Sequence, residues 1–188
     1  MCKSMLAFVS STSFLSVFCG CSKVPEKSQE TVPAATAPGP TKTGATFGKL
    51  AVTPRSGTAT RQVFTVTLER VPGAPSPALI GLLIAGASGS GNDACYVFHQ
   101  LDTKRGAVLV NDSGEGSKPI GDGASISNKQ CDLLKDQTTF ATTDTTVTAQ
   151  FNLRFHAGFK GSRKVYAIAQ DANGAGNGLQ PGGDFVVP

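Results

Sequence analysis

The chain has 188 residues, of which 39% are hydrophobic and 16% charged, with 22 glycines, 11 prolines, 11 phenylalanines and no tryptophan. That length holds one domain with appendages, and many Gly, Thr and Val residues with scarce Glu-Lys-Leu periodicity favour short strands over helices. The formal net charge is +4; from Phe47 onward 13 basic residues face 11 acidic ones and no Lys/Arg stripe forms, so the electrostatic footprint of a nucleic-acid binder is missing.

Residues 1 to 20 carry Lys3, then an apolar stretch (Met5 to Val9, Phe14 to Phe18) interrupted by Ser10 to Ser13. The stretch is too short and too polar for a spanning helix. A charged start, an apolar middle and small residues at the end fit an export signal. Its end, Phe18-Cys19-Gly20-Cys21, resembles the lipobox of bacterial lipoproteins, in which a small residue precedes the cysteine that is lipidated. The resemblance assigns lipidation to Cys21 rather than Cys19, because bulky Phe18 would precede Cys19. A multi-chain anchor there is effectively permanent, at about 0.8 kcal/mol per buried CH₂. With Ser22 after the cysteine, the resemblance to lipoproteins of Gram-negative bacteria implies outer-membrane sorting. The competing reading is a secreted protein cut nearby.

Residues 21 to 46 follow as a tether, with Pro25, Pro33, Pro38 and Pro40 among Lys, Glu, Ala and Thr. The segment has no apolar period and is expected to be a disordered linker of polyproline II character. As a loose coil of about 25 residues it spans on the order of 25–30 Å.

The domain occupies residues 47 to 188. Leu50–Thr53 is the first expected strand, stopped by Pro54, with Arg55 to Thr58 supplying turn residues. Gln62–Arg70 alternates, with Phe64, Val66 and Leu68 on one face. Val71 to Pro77 is a proline-rich turn. Ala78–Ala85 is a continuous apolar run suited to a central strand. Cys95–Gln100 and Gly106–Asn111 pair as a hairpin across Asp102 to Arg105. A long loop covers Gly114–Ser127, and Asn128–Leu134 returns to the sheet. Val147–Phe155 is the best alternating strand, followed by Lys164–Gln170 and Phe185–Val187. Seven to nine short strands at regular spacing predict an antiparallel β-sandwich.

Of the five cysteines, Cys2, Cys19 and Cys21 lie in the leader. Cys95 and Cys131 remain as a widely spaced pair without the spacing of a zinc site. In an exported chain they read as a disulfide; the alternative is two buried free thiols packed as small hydrophobes.

The stretches Asn92 to Phe98, Leu109 to Asp112, Asn128 to Cys131 and Lys164 to Gly174 occur in this order. Together they resemble an immunoglobulin-like or fibronectin-III-like module of bacterial secreted and surface proteins, over about Leu50 to Val187. Gly178-Leu179-Gln180 stands where members often carry Gly-Trp-Gln. The resemblance implies an immunoglobulin-like sandwich, paired cysteines and a surface context, and brings no activity.

No catalytic or cofactor site is expected. His99 and His156, the two histidines, lack convergent carboxylates or thiolates in sequence, and Gly89-Ser90-Gly91 has no elbow or phosphate-loop context. Asp171-Ala172-Asn173 begins like a calcium loop, and Asn111, Asp112 and Glu115 form a second oxygen-rich turn, but turn chemistry explains both. Tyr96 and Phe98 read as packing residues, the alternative being an aromatic face that stacks sugars, for which a chain with no Trp and two Tyr is poorly supplied. The expectation is therefore a non-enzymatic envelope lipoprotein, membrane-bound through its lipid and engaging another protein or an envelope polymer through exposed loops such as Gly86–Gly91 and Gly114–Ser127. An accessory subunit of an envelope complex is the alternative.

Overall fold

A computed structural model describes residues 47–101 and 105–188. The expected signal (1–20), Cys21, the tether and hairpin residues Asp102 to Lys104 lie outside the described residues. Among the described residues twelve strands form: β1 (Gly48–Thr53), β2 (Ser56–Thr58), β3 (Arg61–Arg70), β4 (Leu79–Ala85), β5 (Cys95–Gln100), β6 (Ala107–Val110), β7 (Ser117–Pro119), β8 (Ser125–Ser127), β9 (Cys131–Thr142), β10 (Thr146–Phe155), β11 (Gly161–Gln170) and β12 (Gln180–Val187). They build two sheets, of order β1-β3-β10-β9-β8 and β2-β12-β11-β4-β5-β6-β7. Pairing is antiparallel except for β2, which runs parallel to β12.

The sheets pack as a sandwich because alternate residues of each are apolar. Phe64, Val66 and Leu68 of β3 and Val147, Ala149, Phe151 and Leu153 of β10 bury against Ile80, Leu82 and Ile84 of β4 and Val165, Ala167 and Ala169 of β11. Phe64 meets Phe185 edge-on at 5.2 Å between centroids and Phe155 at 6.5 Å, knitting both sheets. The seven-stranded sheet is apolar on its other face too: Leu83, Tyr96, Phe98, Val108, Val110 and Ile168 form a second buried cluster, joined by Leu179. This double-sided burial explains the unbroken apolar run of β4.

The all-β expectation holds, but twelve strands exceed the seven to nine read from the sequence. The additions are three-residue edge strands: β2 falls in the expected turn, and β7 and β8 in the expected Gly114–Ser127 loop. Three residues carry no readable period; tertiary pairing makes them strands. Both sides of the sandwich are sewn by chain that changes sheets, β1 to β2 through Thr53 to Arg55 and β7 to β8 through residues 120–124. At the first crossing Asp184 N donates to Arg55 O at 2.9 Å, and Gly183, at φ 145°, would place a Cβ 1.7 Å from that oxygen. Only glycine fits.

Strand β9 also runs beyond the expected end at Leu134. Its register with β10 jumps from Leu134↔Asn152 to Thr139↔Gln150, leaving a bulge around Gln137, whose φ is 61°. Asn152, fully buried rather than on the solvent face that alternation implies, holds the bulge. Its Nδ2 donates to Asp136 O at 2.7 Å, its backbone N to Thr138 Oγ1 at 3.1 Å, and its Oδ1 accepts from Arg61 Nε at 3.2 Å. Among the described residues no helix is long and apolar enough to cross a membrane.

Candidate functional site

Cys95 opens β5 in one sheet and Cys131 opens β9 in the other; their Cα atoms are 5.7 Å apart and a disulfide joins them. That separation is within the range a disulfide spans. Both cysteines are fully buried, so the bond runs through the core. Asn128 organises the approach: its Oδ1 accepts from Gln130 N and Cys131 N, both at 2.9 Å, and its Nδ2 donates to Ala94 O and Val110 O, both at 3.1 Å. Asp112 Oδ1 accepts from Lys129 N at 2.7 Å, and Asp93 N donates to Asp112 O at 3.1 Å. The Asn92, Leu109 and Asn128 stretches thus converge on the disulfide.

Beside Cys131, the carboxylate of Asp132 is a buried hub. Cross-strand register places Ser127, Asp132 and Arg154 in one row of β8, β9 and β10. Ser127 Oγ donates to Asp132 Oδ1, Arg154 Nε and Nη2 reach Oδ2, each at 2.7 Å, and His156 Nε2 lies 3.0 Å from Oδ1. The other His156 nitrogen, Nδ1, is 3.2 Å from Lys129 O. Burial pushes the Asp132 carboxyl up, but the hydrogen bonds from Ser127, Arg154 and His156 and the adjacent imidazole outweigh it and hold the group below its ordinary value. Sequence reading did not find this cluster, because its members meet only through strand register.

Serine, histidine and aspartate together invite comparison with a nucleophilic triad. There, histidine stands between serine and carboxylate and takes the hydroxyl proton. Here serine and histidine both bond to the carboxylate, and the serine proton is already committed to it. The geometry supports a structural clamp on the β8-β9-β10 row.

His99, on the inward face of β5, stacks on Phe140 of β9 with centroids 4.3 Å apart and planes 17° apart. Burial lowers its pKa, partly offset by the backbone of Gln100. Its Nδ1 is buried with no hydrogen-bond partner among the described residues. Two clefts share Phe140. One of about 560 Å³ is lined by residues including Arg70, Leu101, Val147 and Asp171; the other, about 310 Å³, by His99, Ala107, Ile120, Lys135 and Thr138 among others.

The two expected oxygen-rich turns lie at opposite ends of the sandwich, after β6 and after β11. Asp171 Oδ1 accepts from Asn173 N and Ala175 N at 2.8 and 2.9 Å, and Asn111 Oδ1 from Ser113 Oγ at 2.9 Å, as turn residues do. No three His, Cys, Asp or Glu side chains gather as a metal site among the described residues. Tyr96 and Phe98 pack with centroids 5.7 Å apart in the outer-face cluster rather than between the sheets, and burial raises the Tyr96 hydroxyl well above its ordinary value. The Gly86–Gly91 loop sits at the disulfide end, while the expected Gly114–Ser127 loop is largely absorbed into β7, the crossing and β8.

Fold and site define a disulfide-bridged, two-sheet all-β sandwich. No family model, curated protein or solved structure matches the chain.

Proposed function

We propose that this chain is a non-enzymatic bacterial lipoprotein, anchored through Cys21 and presenting one immunoglobulin-like sandwich on a tether at the cell envelope as a binding or structural module. The observation that carries the reading is the buried Cys95–Cys131 disulfide between the sheets, because such bonds persist in oxidising compartments outside the cytosol. The leader ending in Gly20-Cys21 and the proline-rich segment after it supply the route and the tether. The Asp132 cluster supports a non-catalytic role, since its serine donates to a carboxylate held below its ordinary value and not to the imidazole. A bridge between facing sheets is also a feature of the immunoglobulin-like module that the sequence resembles.

Fractionation of cells making the wild-type chain or Cys21→Ala tests the reading. Wild type is expected in the membrane fraction, released by detergent and not by salt. Cys21→Ala is expected in the aqueous fraction. Retention of the variant in the membrane, or release of wild type by salt alone, overturns the lipid anchor.

A further inference from the structure

We propose that the open edge of β9, from Thr138 to Thr142, docks an extended segment of another polypeptide as an added strand; this deepens the binding-module reading and rests on it. Strand β9 has 12 residues, yet β8 pairs only with Asp132 to Leu134. The last bond on that side is Lys135 N to Ala124 O at 2.9 Å. Beyond it, among the described residues, no strand pairs with β9 on the side away from β10.

The hairpin fixes which groups face outward. Thr143 N donates to Thr146 O at 2.8 Å, and Arg70 N to Thr145 O at 2.8 Å, so Thr146 points at β9 and Thr145 at β3. In an antiparallel ladder the direction alternates. Thr139 and Ala141 therefore bond toward β10, whereas Phe140 and Thr142 turn N–H and C=O to the open side.

Natural edges are blunted by shortness, charge, proline or cover. Strands β2, β7 and β8 have three residues each, and β7 carries Lys118 and Pro119. Strand β1 closes onto the facing sheet, where Val52 leaves no room for a Cβ on Gly182. Thr138-Thr139-Phe140-Ala141-Thr142 has no charge, no proline and high β-propensity. The cleft of about 310 Å³ runs beside it, with Ala107 and Ile120 apolar and the His99 Nδ1 unpartnered among the described residues.

An added strand would lie about 4.8 Å from β9 and direct alternate side chains into this cleft. Main-chain bonds give affinity in such augmentation and side-chain pockets give choice. The cleft offers Ala107 and Ile120 to apolar side chains at alternate positions, with Arg105, Asp122 and Lys135 also in its lining. The crossing at residues 120–124 is bonded over Lys135, whose Nζ donates to Gly121 O at 3.0 Å.

The test is amide hydrogen exchange on the full chain with the synthetic peptide acetyl-Ser-Val-Thr-Val-Ser-Val-Lys-amide, compared with the same peptide N-methylated at alternate residues. At about 1 mM peptide, exchange at Phe140 and Thr142 should slow about tenfold or more, with Thr139 and Ala141 little changed. The N-methylated peptide should have no effect. Thr142→Pro removes an outward N–H and leaves the β10 ladder intact, so it should abolish the slowing at Phe140 while Thr139 and Ala141 stay protected. Unchanged exchange at both amides, or equal slowing by the N-methylated peptide, overturns the proposal. Slowing that grows with protein concentration without peptide assigns the edge to a second copy and also overturns it. None of these outcomes depends on Cys21, so failure here and failure of the anchor are separate results.

Discussion

Reducing the Cys95–Cys131 bond separates the cross-link from the packing around it. Both sulfurs are fully buried, and reduction leaves them in place, so no cavity opens in the core. The change falls on the unfolded chain, which gains the freedom of a loop spanning 36 residues. The chain-entropy model converts that loop to about 3.8 kcal/mol, a large part of a typical net stability of about 5–15 kcal/mol. Urea unfolding followed by circular dichroism, with and without a phosphine reductant, measures the loss. The m-value should rise on reduction, because the released chain exposes more surface. In thermal melts the midpoint should fall by roughly 15 °C, at about 4 °C per kcal/mol for a domain of this size. Cys95→Ala/Cys131→Ala should be less stable than the reduced wild type, since it adds a cavity. A loss below about 1 kcal/mol with unchanged m would refute the argument that this bond acts through the unfolded chain.

Asp132→Asn should cost about 1.5–3 kcal/mol near neutral pH by removing hydrogen bonds to charged donors. Because the folded-state pKa of Asp132 is depressed, its contribution is present above the ordinary carboxylate value of about 3.9 and is lost as pH falls through the folded value. Denaturation at stepped pH should therefore show an acid-side decline that is shallower in Asp132→Asn. Phe64→Ala, which empties a fully buried ring site, should cost about 3–5 kcal/mol in urea. Gly183→Ala forces a Cβ onto Arg55 O and should cost at least about 3 kcal/mol or block folding, readable as lost soluble yield; a near-neutral result would count against the close approach of β12 to the β1–β2 crossing.

Where the sequence was legible, the signal was local. The alternation of Phe64, Val66 and Leu68, and of Val147 through Phe155, placed β3 and β10 with the correct residues inward. Cysteine spacing left one pair, which the structure joins. The features that escaped depend on neighbours distant in the chain. Lys135-Asp136-Gln137 reads as the polar end of a strand, yet Asn152 bridges the bulge and the strand continues to Thr142. Ser127, Asp132, Arg154 and His156 have no shared spacing; they meet because three strands settle into one register. Tyr96 and Phe98 lie on the opposite face from Cys95 and Val97, and apolar residues on both faces erase the alternation that marks inside from outside.

Mass spectrometry of the N-terminal peptide of the mature protein bears most directly on the proposed lipid anchor and tether. The peptide should begin at Cys21, with a diacylglyceryl group on the sulfur and an acyl chain on the amine. A peptide retaining residues 1 to 20, or an unmodified terminus elsewhere, would contradict it.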